Sequence, residues 1–180
     1  MRLYGLIGYP LGHSFSQKYF SEKFAREGIA DARYELFSLK NIADLPALLE
    51  QRPDLRGLNV TIPHKENVLP YLHELDETAR AVGAVNCIKI ENGKLRGYNT
   101  DVIGFEKSLK MLDGGRYTAH DKGALILGTG GASKAVAYVL QKMGVSYKFV
   151  SRTPVGENQI SSEPAHQKSV AEYRLIVNTT

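Results

Sequence analysis

Apolar and polar residues alternate along the first part of the chain in a pattern that predicts strands separated by helices. Apolar runs rich in β-branched residues predict strands at residues 3–8, 33–38 and 58–62. Apolar residues recur at helical spacing over residues 17–27, and again in a helix that we expect Asn41 to cap. Such alternation is typical of an α/β domain with a mostly parallel sheet.

The following segment predicts an antiparallel hairpin that closes the edge of this sheet. Residues 84–90 and 94–98 are strand-like, and the Asn92-Gly93 pair between them is the strongest short hairpin signal. Before the hairpin we expect residues 65–82 to be helical in two pieces, broken near Pro70 and again before Asp76. After the hairpin we expect a longer helix over residues 102–112.

A polar, glycine-rich stretch at residues 113–122 divides the chain. We interpret it as the connection between a domain of residues 1–112 and a second domain of residues 123–180. The elements predicted for the second domain are strands at 123–127, 147–150 and 175–180 and a helix at 134–143. This pattern predicts a Rossmann-type α/β fold that is truncated after its third strand.

Composition narrows the classes of partner. The chain has 180 residues, 43% hydrophobic and 23% charged, with a net charge of +4 and a pI of about 9.1. Its lysines and arginines are scattered, which favours a small anionic ligand over a nucleic acid. The single cysteine, Cys87, excludes an internal disulfide and a cysteine-based metal cluster, and it is typical of a cytoplasmic protein. No apolar run reaches the roughly 20 residues of a membrane span, so we expect no membrane partner.

Candidate chemistry gathers where the strand of residues 58–62 ends. Asn59 and Thr61 share one side of the strand because side chains alternate. Pro63 ends the strand, and Lys65 follows it at the start of a helical segment. An amide, a hydroxyl and an ammonium group therefore lie at the carboxyl end of a strand, where open α/β sheets bind their ligands.

Three further polar residues stand at predicted helix starts, where two interpretations compete. Ser14 and Ser16 follow the first strand, and either could cap the next helix. Two hydroxyl groups beside a helix N-terminus would also suit a polyol or a carboxylate. Asp101 could likewise cap the helix at residues 102–112.

The loop after residue 127 predicts a phosphate-binding turn. Gly128 permits a sharp turn, and Gly130 and Gly131 let a pyrophosphate approach the backbone at the N-terminus of a helix. Ser133 replaces the third glycine of the usual dinucleotide fingerprint, although serine is still small enough for close packing.

The end of the next strand decides between two cofactors. An NAD site usually has a carboxylate there for the ribose 2′-hydroxyl, whereas this chain has Ser151-Arg152-Thr153. A guanidinium flanked by two hydroxyl groups suits a 2′-phosphate. We therefore predict NADP rather than NAD.

Six motifs, in order along the whole chain, resemble shikimate dehydrogenase. They are Ser14-Phe15-Ser16, Asn59-Val60-Thr61-Ile62-Pro63-His64-Lys65, Gly83-Ala84-Val85-Asn86, Asn99-Thr100-Asp101, Gly128-Thr129-Gly130-Gly131-Ala132 and Ser151-Arg152-Thr153. The resemblance implies a two-domain α/β enzyme that reduces 3-dehydroshikimate to shikimate with NADPH, in the pathway to aromatic amino acids.

The resemblance also implies roles for single residues. Lys65 and Asp101 would be the catalytic pair, sharing the substrate hydroxyl and moving its proton. The substrate would be held by Ser14, Ser16, Asn59, Thr61, Asn86 and Asp101. The cofactor would be held by Gly128, Thr129, Gly130, Gly131, Ala132, Ser151, Arg152 and Thr153. Glu77 matches a position sometimes assigned to the cofactor side, and the resemblance implies no metal.

Departures from the family pattern leave alternatives open. Thr129 and Ser151 stand where the family commonly has alanine and asparagine, and family members continue well beyond the position of Thr180. One alternative is a quinate/shikimate dehydrogenase with relaxed substrate and cofactor specificity. Another is a non-catalytic metabolite-binding homologue. In each case we expect a monomer or a homodimer.

Overall fold

The computed structural model describes residues 1–112, 123–162 and 173–180. Within them the chain forms two compact units, Met1–Asn99 and Thr100–Thr180. The connection predicted at residues 113–122 lies outside the described residues.

The first unit is a six-stranded sheet with helices on both faces. Its elements are β1 (Arg2–Gly8), α1 (Ser16–Arg26), β2 (Ala32–Ser38), a 3₁₀ turn (Ile42–Asp44), α2 (Leu45–Gln51), β3 (Leu55–Val60), α3 (His64–Asn67), a 3₁₀ turn (Leu69–Tyr71), β4 (Glu74–Leu75), α4 (Glu77–Val82), β5 (Cys87–Glu91) and β6 (Lys94–Tyr98). The strand order is β2-β1-β3-β5-β6-β4, and only the pairs that include β5 are antiparallel. The prediction of a mostly parallel α/β sheet is therefore confirmed.

Alternation along β1 supplies a core on each face of this sheet. Leu3 and Ile7 are fully buried in the larger cluster, which includes Leu45 from α2. Leu6 points to the opposite face, where it packs with Tyr34 and with Phe20 from α1. Full burial of each such side chain contributes about 1.5–3 kcal/mol of hydrophobic free energy.

The strand that carries Asn59 is shorter than predicted. It ends at Val60, and Ile62, which was predicted to belong to its apolar face, is 63% exposed. Pro63 has no N–H to continue a ladder, and the chain turns directly into α3. Strand β5 also starts later than predicted, at Cys87 rather than at residue 84.

The predicted hairpin turn is confirmed, but its place in the sheet was wrong. Asn92 and Gly93 have φ values of 51° and 75°, as the tight turn between β5 and β6 requires. The edge of the sheet on this side is the two-residue strand β4, which pairs with β6 and lies where the predicted helical segment was expected to break, before Asp76. A strand this short shows no readable alternation.

The second unit contains a four-stranded parallel sheet. Its elements are α5 (Asp101–Leu112), β7 (Ala124–Leu127), α6 (Gly131–Lys142), β8 (Tyr147–Ser151), β9 (Gln159–Ser161) and β10 (Leu175–Asn178). The strand order β10-β7-β8-β9 is the 3-2-1-4 arrangement of a doubly wound dinucleotide-binding fold. The prediction missed β9, so the strand predicted at residues 175–180 is the fourth strand of this sheet and not the third.

Helix α5, predicted as the end of the first domain, belongs to the second compact unit. Its Leu109 is 3% exposed and packs in one cluster with Ile126 of β7 and Leu140 of α6. The predicted apolar positions Ile103 and Leu112 are 54% and 84% exposed. Among the described residues, no helix is long and apolar enough to cross a membrane.

Candidate active site

In the first unit, several candidate substrate residues lie near the carboxyl ends of β1 and β3, beside a switch in strand order. Strand β1 lies between β2 and β3. The connection from β1 therefore leads to β2 on one side of it, and the connection from β2 leads back to β3 on the other side. The segment that carries Ser14 and Ser16, the first residue of α1, follows β1, and Thr61 follows β3. Ligands of open α/β sheets bind in the crevice at such a point.

Backbone hydrogen bonds hold these two loops together. The Thr61 N–H donates to the Ile7 carbonyl at 2.9 Å, and the Tyr9 N–H donates to the Ile62 carbonyl at 2.9 Å. Gly8 makes this approach possible, because a Cβ there would touch the Thr61 methyl group and would lie 2.9 Å from the Ile62 carbonyl oxygen. The two loops are therefore held side by side where they leave the sheet.

Neither serine is the N-cap residue of α1. The N-cap residue is Phe15, which is 84% exposed and makes no side-chain capping bond. Ser16 is the first helical residue, and its N–H donates to Ser14 Oγ at 3.3 Å. Ser14 can still donate its own hydroxyl proton to a ligand oxygen.

Asn59 is held by a residue that sequence reasoning missed. The Tyr34 hydroxyl donates to Asn59 Oδ1 at 2.8 Å. Tyr34 is 4% exposed, and burial raises its pKa far above the ordinary value, so the hydroxyl remains protonated and able to donate. The only sequence signal was a tyrosine at an inward position of β2, and such a residue is more often simply part of a core.

Lys65 is the second residue of α3 and is half-buried. Its carbonyl accepts the Val85 N–H at 2.7 Å, which ties α3 to the segment that carries Asn86. The neighbouring His64 is 2% exposed, and its Nε2 lies 2.7 Å from the Leu39 carbonyl oxygen. The turn that presents Lys65 is thus fixed on two sides.

The backbone of Asn86 is also fixed. Its carbonyl accepts the Val60 N–H at 2.9 Å, and its N–H donates to the Tyr98 carbonyl at 3.0 Å. Asn86 therefore joins the carboxyl end of β3 to the end of β6, beside Thr61. This places Asn59, Thr61, Lys65 and Asn86 on neighbouring segments of one edge.

Asp101 begins helix α5, in the second unit. A carboxylate in the first turn of a helix is favoured by the helix dipole. Two residues before it, Asn99 is 2% exposed and donates through Nδ2 to the Ala84 carbonyl at 2.9 Å. The pairing of Lys65 with Asp101 stays a prediction.

The glycine-rich loop occupies the switch point of the second sheet. It follows β7, whose neighbours are β8 and β10, and Gly128 has a φ of 112°, a value that favours glycine. Helix α6 begins at Gly131, three residues earlier than predicted, so its free N–H groups start within the loop. A Cβ on Gly130 would meet nothing within 4 Å, so the fold itself does not require a glycine there.

The hydroxyl groups of Ser133 and Thr179 form hydrogen bonds at the base of this loop. Ser133 is 0% exposed, and its Oγ lies 2.7 Å from Thr179 Oγ1. Thr179 Oγ1 in turn donates to the Leu127 carbonyl at 2.6 Å, at the end of β7. The serine that replaces the third glycine of the fingerprint thus joins α6, β7 and the residue after β10.

The end of β8 presents Arg152 to solvent. Ser151 is the last residue of the strand, and its Oγ accepts the Thr153 N–H at 3.2 Å, which shapes the turn around Arg152. No hydrogen bond or ion pair to the Arg152 guanidinium is found within the described residues. Those residues also hold no group of three or more His, Cys, Asp or Glu side chains able to bind a metal ion.

Comparison with known proteins agrees with both halves of this arrangement. Residues 6–88 match the family model of the shikimate dehydrogenase substrate binding domain. The shikimate dehydrogenase (NADP(+)) of Aquifex aeolicus is 38% identical over 99% of this chain and 68% of its own length. The chain belongs to the shikimate dehydrogenase family.

Solved shikimate dehydrogenases share the fold of both units. The crystal structure from Aquifex aeolicus has a TM-score of 0.84 at 37% identity and covers 100% of this chain and 69% of its own. The enzyme from Thermus thermophilus, solved in complex with NADP(H) and shikimate, has a TM-score of 0.73 at 30% identity. The match covers 100% of this chain and 69% of the Thermus thermophilus chain. The chain thus spans about two thirds of the length of these shikimate dehydrogenases.

Proposed function

We propose that this protein catalyses the reversible, NADP-dependent reduction of 3-dehydroshikimate to shikimate. The observation that carries the proposal is the convergence of the loops after β1 and β3, where Thr61 and Ile62 are hydrogen-bonded to Ile7 and Tyr9, at the start of the segment that carries Ser14 and Ser16. The second unit adds a doubly wound sheet with a glycine loop at its switch point. Relatives named shikimate dehydrogenase (NADP(+)) support both the substrate and the cofactor.

The substrate is a hydroxylated ring that carries a carboxylate, and the first unit offers groups for both parts. Ser14 and Ser16 stand beside the N-terminus of α1 and are assigned to the carboxylate. Asn59, Thr61 and Asn86 are assigned to the ring hydroxyls, since amide and hydroxyl groups can both donate and accept. Lys65 lies on the turn next to Thr61, where it can reach the reacting hydroxyl.

Lys65 and Asp101 are assigned to the proton that accompanies the redox step. When shikimate is oxidised, its carbinol carbon loses a hydride and its hydroxyl loses a proton. NADP, when bound, supplies the hydride acceptor. The carboxylate of Asp101 and the amine of Lys65 are suited to hold the hydroxyl and pass its proton toward solvent. In the reduction direction the same groups return a proton to the carbonyl oxygen.

The second unit fits a dinucleotide that carries a 2′-phosphate. Residues Gly128 to Ala132 would hold the pyrophosphate against the first turn of α6. The open space beside Gly130 supports this assignment, because the absent side chain leaves room for a ligand rather than for the protein. Arg152, flanked by Ser151 and Thr153, would pair with the 2′-phosphate.

The catalytic assignment is tested by replacing Lys65 with alanine. We expect Lys65→Ala to lower kcat for shikimate oxidation by roughly 10²–10⁴, the usual contribution of a positioned acid or base, with little change in KM. Lys18→Ala is the matched control, because the Lys18 side chain is 79% exposed and forms a surface ion pair with Glu22. A kcat near that of the unmodified protein would contradict the role of Lys65.

Several finer points belong to the same proposal. We expect shikimate to be preferred over quinate, and a kinetic comparison of the two alcohols tests that preference. We also propose a cytoplasmic location, from the single cysteine, and a monomeric or homodimeric state. Sedimentation of the purified protein measures the oligomeric state directly.

A further inference from the structure

Tyr34 joins the two elements that carry candidate substrate residues in the first unit. It belongs to β2, yet its side chain reaches across β1 to Asn59 on β3. Its ring stacks on Phe20 of α1, with centroids 4.5 Å apart and planes 13° from parallel. Its carbonyl accepts a hydrogen bond from Gln17 Nε2 at 3.4 Å. Two residues of α1, Phe20 and Gln17, thus contact Tyr34 and hold it in place.

The hydrogen bond to Asn59 distinguishes the two ends of its amide. Tyr34 Oη donates to Asn59 Oδ1 at 2.8 Å, so the amide oxygen is directed at the tyrosine. The amide nitrogen of Asn59 has no hydrogen-bond partner among the described residues. An asparagine without such a neighbour could present either its oxygen or its nitrogen to a ligand.

Two properties keep the Tyr34 hydroxyl a hydrogen-bond donor to Asn59. Burial raises the pKa of Tyr34, although a hydrogen bond with the Ser16 side chain acts in the opposite direction. The hydroxyl is therefore protonated at neutral pH and able to donate. The stacked ring leaves the hydroxyl little freedom to turn away from Asn59.

We propose that Tyr34 is a positioning residue that makes Asn59 a hydrogen-bond donor to the substrate. The proposal deepens the function proposed above and rests on it. Asn59 then recognises an oxygen acceptor on the ligand, either a hydroxyl or a carboxylate oxygen, through Nδ2. A ligand with a pure donor, such as an ammonium group, at that place is rejected because it would face an N–H group.

The test combines Tyr34→Phe and Asn59→Ala in a double-mutant cycle. Tyr34→Phe keeps the ring and its stacking on Phe20 while removing the hydroxyl. We expect a Kd for shikimate about five- to tenfold higher, in line with the loss of one positioned hydrogen bond, and a kcat within about twofold of the unmodified protein. In the Asn59→Ala background, Tyr34→Phe should have no further effect on the Kd.

Tyr71→Phe is the matched control. Tyr71 is a partly buried tyrosine packed on the other core of the same unit, so the substitution also removes one hydroxyl. We expect it to leave the Kd for shikimate unchanged. Circular dichroism of each variant checks that the fold is kept.

A spectroscopic readout keeps this proposal separate from the proposed function. The side-chain amide signals of Asn59 in an NMR spectrum should shift in Tyr34→Phe and stay unchanged in Tyr71→Phe, with or without shikimate. An unchanged Kd in Tyr34→Phe, or an equal rise in the Asn59→Ala background, would overturn the proposal. If the Asn59 signals shift in Tyr34→Phe but the unmodified protein never binds shikimate, the proposed function is overturned instead, and with it the assignment of the ligand.

Discussion

An alanine in place of Gly8 should damage the proposed substrate edge at its narrowest point. The new Cβ would touch the Thr61 methyl group and would lie 2.9 Å from the Ile62 carbonyl oxygen and 3.0 Å from Leu11 Cδ2. The methyl group of Thr61 could rotate away, but the carbonyl belongs to the backbone and already accepts the Tyr9 N–H. The loops after β1 and β3 must therefore separate.

The size of the effect follows from known costs of overpacking. Inserting one methyl group into a tightly packed site costs about 1–3 kcal/mol. For a chain of this length each kcal/mol lowers Tm by about 2–4 °C, so we expect a fall of roughly 4–8 °C for a cost of about 2 kcal/mol. Displacement of Thr61 should also raise the Kd for shikimate by roughly tenfold, since one hydrogen bond to the ligand would be lost.

Gly12→Ala provides the matched control within the same loop. A Cβ at Gly12 would meet nothing within 4 Å, so its effect on unfolding should stay within about 0.5 kcal/mol. Thermal unfolding and calorimetric titration with shikimate measure the two quantities for both variants. If Gly8→Ala unfolded and bound shikimate as Gly12→Ala does, the convergence of the two loops at Thr61 would be refuted.

Three further predictions address the cofactor, the packing below it and the pH dependence of stability. Arg152→Ala should raise KM for NADP far more than KM for NAD, and equal rises would mean that Arg152 does not contact the 2′-phosphate. Ser133→Ala removes the hydroxyl that lies 2.7 Å from Thr179 Oγ1. We expect the free energy of unfolding, measured in urea, to fall by about 1 kcal/mol and NADP binding to weaken. A variant of unchanged stability would show that this hydrogen bond contributes nothing. The Arg52 guanidinium forms two hydrogen bonds to Glu35 and holds the pKa of that carboxyl below its usual range. The pair therefore stabilises the fold fully above the unfolded-state pKa of Glu35. This stabilisation is lost as the pH falls through the lower folded-state pKa. Glu35→Gln should accordingly be less stable than the unmodified protein at neutral pH and equally stable in strong acid. A difference in stability that persisted in strong acid would show that it does not come from the charge of Glu35.

The fold was predictable where the pattern of residues extended over a whole element. The apolar runs of β1, β2 and β7 predicted strands, and the spacing of Val136, Val139 and Leu140 predicted the buried face of α6. Short strands such as β4 and β9 were not predictable, because two or three residues carry no period. Their pairing depends on neighbours that are distant in the chain.

The candidate site was predictable as a set of residue types and not as a set of contacts. Asn59 and Thr61 could be singled out because their polar side chains interrupt an apolar run, and Lys65 because it follows that run at the start of a helical segment. The contact from Tyr34 to Asn59 requires the order β2-β1-β3 and its register, which no local pattern encodes. Likewise the bond between Ser133 and Thr179 joins residues 46 positions apart.

The most direct test of the central claim is the rate of NADPH formation when shikimate is the only alcohol supplied. The account predicts a rate that rises to saturation with shikimate, is faster with NADP than with NAD, and is nearly abolished by Lys65→Ala. NADPH formation that does not depend on shikimate, measured on protein whose circular dichroism shows an intact fold, would contradict it.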